Sequence, residues 1–199
     1  MDISESFYEK SAKSFSDTRF CLWDVVKHFG EKFKENDYVL DAGCGNGKNI
    51  KYFNNQTNII GFDKSSQLVE ICNNQNFNVI QGDILNIPFE SEIFDYIMSI
   101  AVIHHLDSIE KHIQAIYECM RCLKKGGQCL ITLWAYESDD YSKKKKFKKG
   151  ENFVTFGKQN HQRFYYIYDE LMLKGLLKWI NYEHEYFWER GNWNIIFTK

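Results

Sequence analysis

The sequence predicts an α/β chain folded as a doubly wound, Rossmann-like sheet of seven strands, mostly parallel and finished by a C-terminal antiparallel hairpin. Three observations carry that reading. Strand-like apolar runs alternate with helical stretches, the pattern of crossover units and a parallel sheet. The first run leads straight into a glycine-rich turn, DAGCGNGKN at 41–49. The last two runs stand close enough together to pair as a hairpin.

Taken in order, an amphipathic segment at 22–29 precedes the strand YVLDA at 38–42, and a helix opens at Gly47 and runs to about Phe53. The strand NIIGFD (58–63) is followed by a helix over 65–72 with Ser65 as its N-cap, then by FNVIQGD at 77–83. The single proline, Pro88, falls in the connection to the strand at 94–102 and not inside a strand. A helix over 108–123, closed by KKGG, leads to the strand QCLITLW at 128–134. A long polar, basic loop is expected over 137–162, then a helix at 169–179 and the paired runs at 181–189 and 192–198. Residues 1–199 read as one domain, with 1–36 as an N-terminal helical segment on the substrate side.

Composition sets the outer limits. A chain of 199 residues, 44% apolar and 17% aromatic, has ample material for a packed core. A formal charge of −2 argues against gripping nucleic acid by bulk electrostatics and leaves room for a local basic patch. No run approaches the roughly 18 apolar residues of a membrane span, and MDISESFYEK has neither a basic start nor an apolar signal core, so the expected compartment is the cytosol. Six cysteines there are expected as reduced thiols. Cys119 and Cys122 form a C-x-x-C with no second pair to complete a zinc site, so core packing is their expected role and no metal is assigned.

In an open sheet of this kind a ligand sits beyond the carboxyl ends of the strands, where the strand order reverses. Those ends carry a consistent set. Asp41 and the turn glycines Gly43, Gly45 and Gly47 close the first strand, Asp63 the second and Asp83 the third, while the fourth runs out through Ser99 and Ala101 to His104 and His105. Asp63 lies 22 residues beyond Asp41, near the offset of a ribose-binding carboxylate. The glycine spacing is G-x-G-x-G, not the G-x-G-x-x-G of a nicotinamide site.

With these residues in place, the sequence resembles the class I S-adenosylmethionine-dependent methyltransferases, whose turn reads D-x-G-x-G-x-G. The resemblance implies that Gly43 to Gly45 cradle the methionine moiety, that Asp63 accepts both ribose hydroxyls, and that Asp83 with the Ile84 amide reads the adenine edge. Asp41 either binds or only orders the turn, and Gly47 and Ser99 complete the implied cofactor set.

A closer resemblance spans nearly the whole chain. Tyr8, Phe15, Ser16, Thr18, Arg19 and Trp23, then SIAVIHH at 99–105, then RFYYIY at 163–168, then Asn192-Trp193, stand in the order found in the eukaryotic tRNA methyltransferases that esterify 5-carboxymethyluridine at the wobble position. Tyr166 stands where those sequences carry histidine. The resemblance implies a tRNA anticodon loop as substrate and a small zinc-binding activator subunit paired along an exposed sheet edge, the chain itself holding no metal. A carboxylate of pKa about 4 is ionised at neutral pH and needs alignment more than a strong base.

Arg19 and Arg163 are the candidate guanidinium forks for that carboxylate or a phosphate, and His104 or His105 borders the transfer point. Tyr165 and Trp193 either stack a flipped-out base or belong to the core. The cluster KKKKFKK at 143–149 is either a solvated loop or a phosphate contact. Two other readings remain at this level: a small-molecule O- or N-methyltransferase, and a noncatalytic adaptor on the same fold.

Overall fold

The computed structural model describes residues 22–137, 147–156 and 161–199. They form α1 (Asp24–Gly30), β1 (Tyr38–Ala42), α2 (Lys48–Phe53), β2 (Asn58–Asp63), α3 (Ser66–Asn73), β3 (Val79–Gln81) and β4 (Phe94–Ile100). A 3-10 turn (Ile103–His105) then precedes α4 (Ile109–Cys122), β5 (Leu123–Trp134), β6 (Gly150–Phe156), β7 (His161–Ile167), α5 (Glu170–Leu177), β8 (Glu183–Glu189) and β9 (Asn192–Thr198). Tyr8, Phe15, Ser16, Thr18, Arg19 and Cys21, and the lysines at 143–146, lie outside the described residues.

Seven strands make one sheet in the order β3-β2-β1-β4-β5-β9-β8. β1 pairs in parallel with both β2 and β4, so the strand order reverses between β1 and β4. β9 runs antiparallel to β5 and β8, which is the expected hairpin. Each face of the sheet buries its own helices. Val25, Val26 and Phe29 of α1, Ile50 and Phe53 of α2 and Cys72 of α3 pack with Val39, Met98 and Leu130. Ala115, Ile116, Cys119 and Met120 of α4 and Leu173, Leu176 and Leu177 of α5 pack with Leu40, Ile97, Ile131 and Ile195. Burying one such aliphatic side chain is worth about 1.5–3 kcal/mol, so these two layers fix the sheet against which the strand ends are registered.

The Ser65 cap behaves as the sequence indicates. Ser65 accepts from the Leu68 amide, Ser108 from Lys111 and Asp169 from Met172. The segment KKGG does not close α4 as a helical cap. Leu123 already has extended backbone (φ −78°, ψ 136°), and residues 124–127 bulge out of the ladder, since Phe94 pairs with Leu123 while Tyr96 pairs with Gln128. Gly126, at φ +78°, takes the left-handed turn inside that bulge.

The expected loop over 137–162 is corrected in its second part. Residues 150–156 and 161–167 form an antiparallel ribbon separate from the main sheet. One face of the ribbon carries Asn152, Val154, Arg163 and Tyr165, and the other Phe153 and Phe164, with Phe153 exposed. A bridge between Ala135 and Tyr168 fastens the end of the ribbon to the end of β5. That places β7 against the 3-10 turn that follows β4.

Candidate functional site

At the reversal point the strand ends open on a cleft of about 1040 Å³, counting space open to solvent. Gly43, Cys44, Gly45 and Asn46 form one wall, Asp63 and Lys64 a second, Asp83 and Ile84 a third, and Ala101, Val102, His105 and Leu106 the fourth. Trp23, just before α1, also lines it.

The glycine turn holds its shape through backbone bonds. The amides of Gly43 and Cys44 both donate to the Phe62 carbonyl at 2.9 Å, which ties the end of β1 to the end of β2. Gly43 has φ +79°, and a Cβ there would lie 2.6 Å from Cγ2 of Val102, so both conformation and space require glycine. Gly47 (φ +74°) caps α2 and lies behind the turn, where a Cβ would meet Phe77 at 2.8 Å.

Asp63 braces the turn as well as facing the cleft. Its Oδ2 accepts from the Gly45 amide at 2.8 Å and its Oδ1 from the Ser65 amide at 3.0 Å. A carboxylate offers about four acceptor sites, the kind of group that suits a diol. Asp83 accepts from the Leu85 amide at 3.0 Å and pairs with Lys64 at 3.2 Å. Ile84 beside it is buried and supplies apolar wall.

Asp41 does not itself line the cleft. It is buried, and Nδ2 of Asn49 donates to both its oxygens at 3.2 Å. Burial pushes its carboxyl up to about 7, with the Asn49 hydrogen bonds and the Lys48 charge pulling the other way. Asn49 does line the cleft, so Asp41 acts on the site through it. Ser99 is buried in β4 outside the lining, and its Oγ has no hydrogen-bond partner among the described residues.

The two histidines separate clearly. His105 lines the cleft. His104 is fully buried behind it, with Nδ1 accepting from the Trp134 amide at 3.3 Å. Nδ1 of His105 lies 2.8 Å from the Phe164 carbonyl, and Nε2 lies 2.6 Å from Nη2 of Arg163. Arg163 is buried, and desolvation lowers its guanidinium to about 10, still charged at neutral pH. Behind this pair Tyr165 stacks on Trp134 at 4.5 Å. Tyr165 and Trp193 are both buried, and the indole of Trp193 donates to Oε2 of Glu137 at 3.1 Å.

Several functional side chains escaped sequence reasoning. Asn49 was legible only as the last residue of the glycine motif, Lys64 only as the neighbour of Asp63, and His112 not at all. His112 donates from Nε2 to the Leu106 carbonyl at 2.9 Å and accepts at Nδ1 from the Tyr168 hydroxyl, pinning the cleft turn to the end of the ribbon. Of the lysine cluster's described members, Lys149 is committed to Asp169 at 2.6 Å and lies over the Tyr136 ring. No group of three or more metal-ligating side chains occurs among the described residues.

Residues 40–131 match the family model of the methyltransferase domain. The chain is 42% identical over 135 residues to the Arabidopsis thaliana tRNA (carboxymethyluridine(34)-5-O)-methyltransferase, a match covering 68% of this chain and 33% of that protein. It thus spans about a third of that relative's length. A Thermotoga maritima S-adenosylmethionine-dependent methyltransferase superposes with TM-score 0.68 at 19% identity, covering 99% of this chain and 98% of the other. The Haloferax volcanii complex of the Trm112 methyltransferase activator with a methyltransferase superposes with TM-score 0.67 at 15% identity, covering 100% and 98%.

Proposed function

The chain belongs to the class I methyltransferases, and on that premise we propose that it transfers a methyl group from S-adenosylmethionine to the carboxylate of 5-carboxymethyluridine at the wobble position of tRNA. The product is 5-methoxycarbonylmethyluridine. The observation that carries the reading is the convergence of the glycine turn, Asp63, Asp83 and His105 on one cleft at the strand reversal, in a chain 42% identical over 135 residues to the Arabidopsis tRNA (carboxymethyluridine(34)-5-O)-methyltransferase.

The donor set fits the cofactor. Asp63 offers acceptors for the ribose hydroxyls, the apolar side chains of Phe62, Ile84 and Leu106 suit a purine, and the backbone of Gly43 and Gly45 suits the methionine end. When bound, the sulphonium supplies an electrophilic methyl carbon. This chain's residues then bind, orient and exclude water: Asp63 holds the ribose end, and Asn49, held by Asp41, stiffens the turn. Arg163, through His105, places positive charge beside the opening, which favours an anionic acceptor. Arg19 is proposed as the second carboxylate contact. Holding the reacting atoms about 3 Å apart in line can supply several kcal/mol of the barrier.

As partner we propose a small zinc-binding activator subunit, supported by the Haloferax complex of the same fold. The proposed setting is the cytosol, where tRNA is available. Among the described residues no helix is long and apolar enough to cross a membrane.

The test is transfer of labelled methyl from S-adenosylmethionine to tRNA carrying 5-carboxymethyluridine, with the activator present. The label should be released by mild base, as an ester is. Turnover on a small amine or alcohol with none on this tRNA would overturn the reading in favour of a small-molecule methyltransferase.

A further inference from the structure

Among the described residues lining the cleft, Cys44, Lys48, Asp63, Lys64, Asp83 and His105 can titrate, and only an imidazole has an ordinary pKa near neutrality. Its two nitrogens are both engaged. The Phe164 carbonyl, 2.8 Å from Nδ1, can only accept, so Nδ1 carries the proton. The Arg163 guanidinium, 2.6 Å from Nε2, can only donate, so Nε2 is the acceptor. The neutral Nδ1–H tautomer satisfies both contacts. The imidazolium, or the other tautomer, sets N–H against N–H on the Arg163 side.

One strand fixes both ends of the ring, because the two partners are successive residues of β7. The Tyr165 ring lies 4.5 Å from the His105 ring and 5.0 Å from the guanidinium carbon, and the His104 ring lies 4.3 Å away, which leaves little room for the imidazole to turn. Asp63 and Asp83 are the carboxylates on the other walls of the cleft.

We propose that Arg163 is a positioning residue that holds His105 as the neutral Nδ1–H tautomer with its Nε2 lone pair occupied, so that the cleft takes methyl acceptors already anionic at neutral pH. The proposal rests on the methyl-transfer reading and assigns Arg163 and His105 a part in its preference for a carboxylate acceptor. With such an acceptor the oxygen forms the new O–C bond as the S–C bond breaks, the electron pair stays on sulphur as a neutral thioether, and no proton has to leave. A hydroxyl or ammonium acceptor must lose a proton, and His105 has no free lone pair to receive it.

The test is nitrogen NMR of the full chain labelled at histidine, with His105 assigned by loss of its signals in His105→Gln, scanned from about pH 5.5 to about pH 8. The expected spectrum shows His105 protonated on Nδ1 throughout. In Arg163→Gln, which removes the guanidinium held against Nε2, the ring should gain a protonation midpoint inside that range. A wild-type His105 that titrates in this range, or that carries its proton on Nε2, overturns the proposal even if Arg163→Gln does not fold. A wild-type rate on carboxymethyluridine tRNA that follows His105 ionisation overturns the proposal and leaves the wobble reading intact. A non-titrating Nδ1–H ring in a protein that methylates no such tRNA overturns the wobble reading alone.

Discussion

Asp63 does two jobs with one carboxylate, and that makes its substitution informative. It accepts the amides of Gly45 and Ser65 while facing the cleft. Hydrogen bonds to a charged acceptor are worth about 1.5–3 kcal/mol each, so Asp63→Asn should weaken S-adenosylmethionine binding by roughly ten to a hundredfold. Calorimetric titration measures it, and unchanged affinity would remove Asp63 from the cofactor contacts. The sequence made this residue legible because position along the chain and the end of a strand coincide there. The same logic overreached at Ser99, whose side chain is buried outside the cleft, since in a strand adjacent residues point to opposite faces. It also stopped short at His104 and His105. Only the packing of β7 shows that His105 lines the cleft while His104 supports Trp134.

At the scale of elements, the strands and helices of the main sheet were readable because each has one period and one buried face. The ribbon of β6 and β7 was not. Its first strand, GENFVTF, follows a run of lysines, and its stabilising contacts are long-range: Arg163 to His105, Tyr165 to Trp134, and Tyr168 to His112. No local periodicity announces such contacts. The Ser65 N-cap, in contrast, is local and was legible. Ser108 accepts from the Lys111 amide at the start of α4 and does not itself line the cleft, which ends two residues earlier in the chain at Leu106. Ser108→Ala should therefore cost about 1 kcal/mol in chemical denaturation and leave cofactor affinity as it was. A loss of affinity with no loss of stability would instead make the cap part of the site.

For the molecule as a whole, two buried groups couple folding to pH with opposite signs. Burial raises Asp41 from 3.8 to about 7, so between those values the native state binds more protons than the unfolded chain and stability falls as pH rises. Burial lowers His112 from 6.5 to about 4, so in that interval the unfolded chain binds more protons and stability rises with pH. At 1.36 kcal/mol per unit the two effects are of order 4 and 3 kcal/mol, and they offset one another across most of the acid range. Urea denaturation of Asp41→Asn should show stability climbing between pH 4 and 6.5, and His112→Gln should show it declining, relative to a flatter wild type. Parallel profiles for all three proteins would contradict both assignments.

The proposed methyl ester on a wobble carboxymethyl group can be read directly by nucleoside mass spectrometry. A tRNA bearing 5-carboxymethyluridine is incubated with the chain, the proposed activator and S-adenosylmethionine, then digested to nucleosides. 5-Carboxymethyluridine should disappear and a nucleoside heavier by one CH2 should appear, reverting to the acid in mild base. A base-stable methylated nucleoside, or an unchanged 5-carboxymethyluridine beside cofactor consumed on another acceptor, would contradict the proposed reaction.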